Sequence, residues 1–167
     1  QLPPMPSNGL FLCTGNSARS IIAESVLGVL GKDRFVAYSA GRRPTGRVQP
    51  IAAELATRLG YPAEKLRSKN WAEYAVPGAP YMDFVITVCD SAAGEVCPIW
   101  PGQPIAAHWG VPDPAAATGS EERRRAAFRD AFVLLRRRVE LLLALPNVKL
   151  RGLAARTALH DIAESTR

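Results

Sequence analysis

The sequence predicts an α/β protein, a four-stranded parallel sheet with helices on both faces. Two patterns carry that expectation. Short apolar runs alternate with longer stretches whose apolar positions repeat at helical spacing. Glycine or proline closes most of these stretches, as element ends require. A third observation concerns chemistry. Cys13, Cys89 and Asp113 each fall just past a strand, at the sheet edge where parallel α/β proteins bind ligands.

The first strand covers residues 9–12, a continuous apolar run. A helix follows over 18–30, with Ile21, Ile22, Val26, Leu27, Val29 and Leu30 at helical spacing and Gly31 as its stop. Residues 34–40 form the second strand, and Gly41 opens a basic, turn-rich loop. Pro50 starts a helix over 50–59 that Gly60 ends. A short helix over 66–74, opened by Ser68, precedes a turn at 77–80. The third strand, 83–88, is rich in β-branched residues and delivers Cys89. The fourth, 105–109, delivers Gly110 to Pro114. A long amphipathic helix over 121–145 is stopped by Pro146, and 147–167 forms an appended C-terminal helix. Residues 1–7 are expected as a flexible arm, leaving one domain over 8–146 with no internal repeat.

At 167 residues, 47% apolar and 22% charged, the chain has the composition of one folded domain rather than a disordered or fibrous protein. Its longest apolar runs are too short to span a bilayer, and residues 1–7 lack the apolar centre of a signal peptide. A cytoplasmic location is expected, where thiols stay reduced. Cys13, Cys89 and Cys97 are then reactive or metal-binding rather than structural bridges. The net charge is +6. Much of it lies in Arg123 to Arg125 and Arg136 to Arg138, which interleave with apolar positions as the solvated face of the long helix. No nucleic-acid motif accompanies them, so neither a nucleic-acid nor a membrane partner is expected.

The most informative stretch is Cys13-Thr14-Gly15-Asn16-Ser17-Ala18-Arg19-Ser20, set between the first strand and the first helix. A helix N-terminus gathers unpaired N–H groups and the positive end of the dipole. Thr14, Gly15, Asn16, Ser17 and Ala18 are small enough to let successive N–H groups turn inward as an anion nest. A cysteine at the mouth of such a nest loses its proton readily and becomes a nucleophile. Arg19 adds a planar fork for two oxygens of a tetrahedral anion. Ser20 is placed to donate to the sulfur. The alternative for Cys13 is a small buried hydrophobe at a strand end.

Asp113 stands between Pro112 and Pro114, whose rings hold the backbone and present the carboxyl group. It is either the general acid for a departing oxygen or a turn residue. Cys89 and Cys97, eight positions apart, flank a small, polar, glycine-containing segment. They fit thiol–disulfide exchange with a nearby nucleophilic cysteine. Inert buried thiols are one alternative. A zinc site with His108 is another, although zinc favours shorter cysteine spacing. His108 itself reads as structural, Trp71 and Trp100 as packing. Glu24 is either a solvated helix residue or a ligand to the back of the loop.

The loop motif after a strand, with Asp113-Pro114 late in the chain, resembles the low-molecular-weight protein tyrosine phosphatase superfamily. Within it the chain is most similar to arsenate reductases that recycle through an internal cysteine pair. Tyr38-Ser39-Ala40-Gly41, Thr87-Val88-Cys89, Cys97-Pro98-Ile99 and His108-Trp109-Gly110 support the likeness, which covers residues 8–145. The resemblance implies a flavodoxin-like, three-layer, monomeric enzyme of arsenic detoxification. Cys13 would attack arsenate held by the loop and Arg19, and Asp113 would protonate the departing oxygen. Cys89 would attack the Cys13 adduct and release arsenite. Cys97 would resolve the Cys13–Cys89 bond, leaving a Cys89–Cys97 disulfide for a thioredoxin- or glutaredoxin-type reductant. Asn16 and Ser20 would shape the loop and steady the thiolate. No tightly bound cofactor is implied. In some relatives a potassium ion sits behind the loop, and Asn16, Glu24 and Ser39 match its site. Asn70 stands where those relatives carry an acid.

The rival implied by the same resemblance is a phosphatase that hydrolyses phosphate monoesters through a Cys13 phosphocysteine. Such phosphatases carry a tyrosine after Asp-Pro to stack on the substrate ring, whereas Ala115 and Ala116 follow here. They often carry a second cysteine in the loop, where this chain has Ala18. A third reading, a non-catalytic oxyanion or redox sensor, would make Cys13 dispensable for turnover.

Overall fold

Strand β1 (Ser7–Cys13) is the spine of the sheet, buried from Gly9 onward. Its pleat sends Leu10 and Leu12 into one core and Phe11 and Cys13 into another. Strands β2 (Phe35–Gly41) and β3 (Phe84–Thr87) pair with it in parallel on either side. Strand β4 (Ile105–His108) extends β3, giving the order β2-β1-β3-β4. Sheet growth therefore reverses at β1, and Cys13 sits beside Gly41 at its C-terminal end, the position at which parallel sheets generally bind ligands. This computed structural model describes residues 6–100, 102, 104–147, 150 and 154–167.

Among the described residues, four α-helices cover the sheet: α1 (Arg19–Leu30), α2 (Pro50–Leu59), α3 (Glu121–Leu143) and α4 (Ala154–Ser165). The Gln49 side chain caps α2 by accepting from the N–H groups of Ile51 and Ala52 at 2.6 and 3.2 Å. Gly60, at a φ of 105°, ends it in the left-handed region. Ser120 caps α3 by accepting from Arg123 N–H at 3.1 Å. The larger core joins Phe11 and Ile86 of the sheet to Ile22, Ala52, Leu135 and Leu159, one from each helix. The smaller core, on Leu10, Leu12, Ala40, Met82 and Val85, is closed by Tyr38, Trp71, Tyr74 and Trp100. Trp71 and Trp100 meet edge to face at 6.0 Å between centroids, which is the packing role expected of them. The predicted fold class is the observed one, with a 3-10 helix (Trp71–Tyr74) and aromatic side chains on the second face.

Several boundaries differ from the sequence expectation, for local reasons. Ser7 belongs to β1, its N–H donating to the Arg34 carbonyl at 2.9 Å, so the expected arm loses its last residue to the sheet. Residues 1–5 of that arm lie outside the described ones. The helix expected over 66–74 shrinks to Trp71–Tyr74. Asn70 opens it, accepting from Ala72 N–H at 2.8 Å, while the Ser68 hydroxyl donates to the Gly15 carbonyl at 3.1 Å. The preceding backbone is claimed by its neighbours: Gly41 N–H donates to the Lys69 carbonyl, and Lys69 N–H to Asn16 Oδ1, both at 2.9 Å.

Arg138, expected on a solvated face, is buried, donating to the Gly110 carbonyl at 3.1 Å and the Thr166 hydroxyl at 3.0 Å. Helix α3 stops at Leu143, short of Leu145. Within the appended segment 147–167, residues 148, 149 and 151–153 lie outside the described ones. Helix α4 buries Ala155, Leu159 and Ile162, and the Leu159 carbonyl accepts from the Trp109 indole N–H at 3.0 Å. No described helix is long and apolar enough to cross a membrane.

Candidate active site

Cys13 ends β1 and is buried. Asn16 N–H donates to its Sγ at 3.2 Å, and the Ser20 hydroxyl lies 2.8 Å from it. Asn16 adopts a φ of 46°, a left-handed conformation that asparagine tolerates. The loop carbonyls are drawn outward by the segment after β2. The N–H groups of Arg42, Arg43, Thr45 and Gln49 donate to the carbonyls of Cys13, Thr14, Gly15 and Ser17 at 3.3, 2.9, 3.0 and 2.9 Å. Peptide units are planar and trans, so their N–H edges turn the other way, toward the mouth. These bonds tie Cys13, Thr14, Gly15 and Ser17 into one loop between β1 and α1.

Behind the loop lies a buried polar network. Asn16 Oδ1 accepts from Lys69 N–H, which fixes the amide and sends its two hydrogens to Ser20 Oγ at 2.8 Å and Ser39 Oγ at 2.9 Å. Ser20 is thus already an acceptor, and its own hydrogen is left for Cys13 Sγ. Ser39 donates to Glu24 Oε1 at 2.5 Å, and the Tyr61 hydroxyl donates to Glu24 Oε2. Glu24 is therefore a support for the back of the loop and not a solvated helix residue. Burial pushes its carboxyl above the ordinary range, against the pull of Lys69, Ser39 and Tyr61. Burial likewise pushes the Lys69 ammonium below its ordinary value, although Glu24 opposes the shift. Burial and the Glu24 charge raise the Tyr61 phenol well above its usual range.

Arg19 is 5% exposed at the first position of α1. Its Nη1 donates to the Val111 carbonyl at 3.0 Å and to Glu95 Oε1 at 2.7 Å, and its Nη2 donates to Glu95 Oε2 at 3.0 Å. Asp113 Oδ2 lies 3.9 Å from Nη2. Burial works against the guanidinium charge, yet Glu95, Asp113 and Cys13 together hold it above its ordinary value. Asp113 also caps the 3-10 helix Pro114–Ala116 by accepting from Ala115 N–H at 3.0 Å, so it is both a turn residue and a neighbour of the arginine.

Cys89, just past β3, is bonded to Cys97, with their Cα atoms 5.8 Å apart. Between them Asp90 caps the 3-10 helix Ser91–Ala93, and Gly94, at a φ of 88°, turns the chain toward Glu95. His108 reaches this segment: Nδ1 lies 2.7 Å from the Thr87 hydroxyl and Nε2 lies 3.2 Å from the Ser91 hydroxyl. Burial and the Arg138 charge lower its pKa, so the ring is neutral near pH 7. Cys89, Cys97 and His108 bring their ligand atoms within 4.8 Å of one another. With the disulfide closed, the two sulfurs are bonded to each other and offer no thiolate to a metal.

Residues 8–151 match the family model described as low molecular weight phosphotyrosine protein phosphatase. The chain belongs to this family. An arsenate reductase of Halalkalibacterium halodurans is 38% identical over 119 residues, covering 71% of this chain and 82% of that protein. One from Staphylococcus xylosus is 37% identical over 142 residues, covering 84% and 95%. Among solved structures, an arsenate reductase from Archaeoglobus fulgidus superposes with a TM-score of 0.60 at 26% identity, covering 79% of this chain and 98% of that one.

The potassium ion expected behind the loop does not fit this member of the family. Asn16 Oδ1, Ser39 Oγ and Glu24 Oε1 converge there, but Lys69 Nζ stands among them at 3.4, 3.4 and 3.8 Å. The same ammonium donates to the Arg67 carbonyl at 2.8 Å. A second cation beside it would be repelled at short range. Asn70, one position on, is a helix cap instead of a ligand. Sequence reasoning misses Lys69 and Glu95. Lys69 adjoins the position that matched the ion site, and Glu95 is the acid inside the Cys89–Cys97 segment. No spacing rule ties either one to the loop.

Proposed function

We propose that this chain reduces arsenate to arsenite, with Cys13 as nucleophile and Cys89 and Cys97 as the source of electrons. The observation that carries this is a disulfide-forming cysteine pair one strand away from a Cys-x5-Arg oxyanion loop. The arsenate reductases at 37–38% identity support the choice of oxyanion. The loop N–H groups and Arg19 hold arsenate while Cys13 attacks arsenic, and Asp113 protonates the oxygen that leaves as water. Cys89 then attacks Cys13 Sγ. The S–S bond forms, the S–As bond breaks, and its electron pair stays on arsenic, which leaves as arsenite. Cys97 attacks Cys89 Sγ, frees the Cys13 thiolate and closes the Cys89–Cys97 disulfide.

An external dithiol protein of thioredoxin or glutaredoxin type completes the cycle by exchange at this disulfide. Cys97 is the more accessible sulfur-bearing residue, and Val96 and Ile99 beside it are 70% and 86% exposed. That apolar rim suits a protein reductant. The test is arsenate-dependent NADPH oxidation with thioredoxin and its reductase. Cys13→Ser is expected to lose turnover of both arsenate and an aryl phosphate. Cys89→Ser and Cys97→Ser are expected to lose multiple-turnover reduction but keep aryl phosphate hydrolysis. Undiminished arsenate turnover in both of the latter would sink the relay.

A further inference from the structure

We propose that Glu95 is an internal anion that fills the oxyanion site while the Cys89–Cys97 disulfide is closed, barring substrate until the disulfide is reduced. The inference rests on the arsenate-reductase reading for its place in the cycle, but its geometry stands apart from it. Of the five N–H donors of Arg19, Glu95 takes one on each terminal nitrogen, at 2.7 and 3.0 Å. The remaining hydrogen of Nη1 goes to the Val111 carbonyl. A bidentate carboxylate on this fork is the arrangement a tetrahedral oxyanion would itself adopt. The two anions cannot both hold these two donors. With side chains 6% and 25% exposed, the pair is poorly screened, and an oxyanion brought in beside Glu95 meets a like charge at short range.

The disulfide is what aims Glu95. The residue lies two positions before Cys97, inside the ring closed by a bond between residues separated by 8. Within the ring, Glu95 N–H donates to the Asp90 carbonyl at 3.1 Å, and Asp90 Oδ1 accepts from Ala93 N–H at 3.2 Å. Reduction by a dithiol, which takes the disulfide to two thiols and becomes a disulfide itself, opens the ring at Cys97. The pair with Arg19 must then order an open segment against its conformational entropy, and the more highly charged oxyanion displaces it. The arrangement has a chemical logic. Cys13 is a free thiol in this state. Attack on arsenate at that moment would form an adduct with no thiol at position 89 to resolve it.

Inorganic phosphate is a suitable probe, because it has nearly the shape and charge of arsenate and is not reduced by thiols. Its affinity for the full chain is measured by calorimetry in the disulfide state and after reduction with dithiothreitol. Oxidised wild type is expected to bind at least about tenfold more weakly than reduced wild type, since it must first break a charge-assisted pair. In oxidised Glu95→Gln and Glu95→Ala, phosphate affinity is expected to rise to within about twofold of reduced wild type. Equal affinity in the two wild-type states overturns the proposal. So does an oxidised Glu95→Ala protein that binds phosphate as weakly as oxidised wild type. Failure of arsenate turnover alone would overturn the function and leave this contrast intact. Normal turnover with redox-independent phosphate affinity would do the reverse.

Discussion

Replacing Lys69 with methionine removes the charge behind the loop while keeping most of the volume. Lys69 and Glu24 have side chains only 4% exposed, and Nζ lies 3.8 Å from Oε1. Breaking such a buried pair by deleting one partner costs about 3–5 kcal/mol, because the other charge is left uncompensated. For a chain of this size that corresponds to a fall in Tm of roughly 10 °C. The pH dependence gives a signature that a packing defect would not. Burial already raises the Glu24 pKa, and loss of the ammonium raises it further. A carboxyl whose folded pKa exceeds its unfolded one favours the fold below the unfolded value. That advantage disappears as pH rises through the folded value.

The penalty of Lys69→Met should therefore shrink toward pH 5 and grow toward pH 8. Adding Glu24→Gln, which removes the stranded charge, should recover most of the loss. Urea denaturation of wild type, Lys69→Met and the double variant at both pH values measures all of this. A single variant as stable as wild type at pH 8, or one equally impaired at both pH values, would refute the electrostatic account. Wild type carries its own cation at this place, so exchanging potassium for sodium salts should leave its stability and turnover unchanged.

Two further outcomes follow from the loop. A Cβ at Gly41 would lie 2.6 Å from the Thr14 carbonyl oxygen and 3.0 Å from Asn16 N, both backbone atoms that cannot swing away. Gly41→Ala should therefore displace the loop and lower phosphate affinity at least about tenfold, read by calorimetry on the reduced protein. Arg19→Lys replaces a fork with a point charge, and kcat/KM for an aryl phosphate should fall by at least about a hundredfold with charge conserved.

What the sequence reveals and what it hides divide along a physical line. The strand, the loop and the helix after it are local, so Cys13 to Ser20 declare an oxyanion nest by residue type alone. Alternating apolar runs likewise announce the parallel sheet, and with it Asp113 past β4, where it lies 3.9 Å from Arg19. Lys69, Glu95 and Arg138 are different. Each is a long charged side chain whose partner lies far away in sequence: Glu24, Arg19 and the Gly110 carbonyl. Charge is by default a solvent-facing signal, and only the assembled fold shows where it has been buried and paired. The misread helix over 66–74 has the same origin. Its first residues are held extended by hydrogen bonds to Gly41 and Asn16, which local propensity does not register.

The four carbonyl anchors on the loop have a consequence for selectivity. Arg42, Arg43, Thr45 and Gln49 hold Cys13, Thr14, Gly15 and Ser17 from outside by backbone bonds that owe nothing to a guest. A mould fixed in advance distinguishes ions by size and charge alone. Arsenate and phosphate are nearly identical in both, so they compete on equal terms for entry. Preference for arsenic must then arise after binding, when a Cys13 adduct meets a thiol that arsenic(V), unlike phosphorus(V), can oxidise.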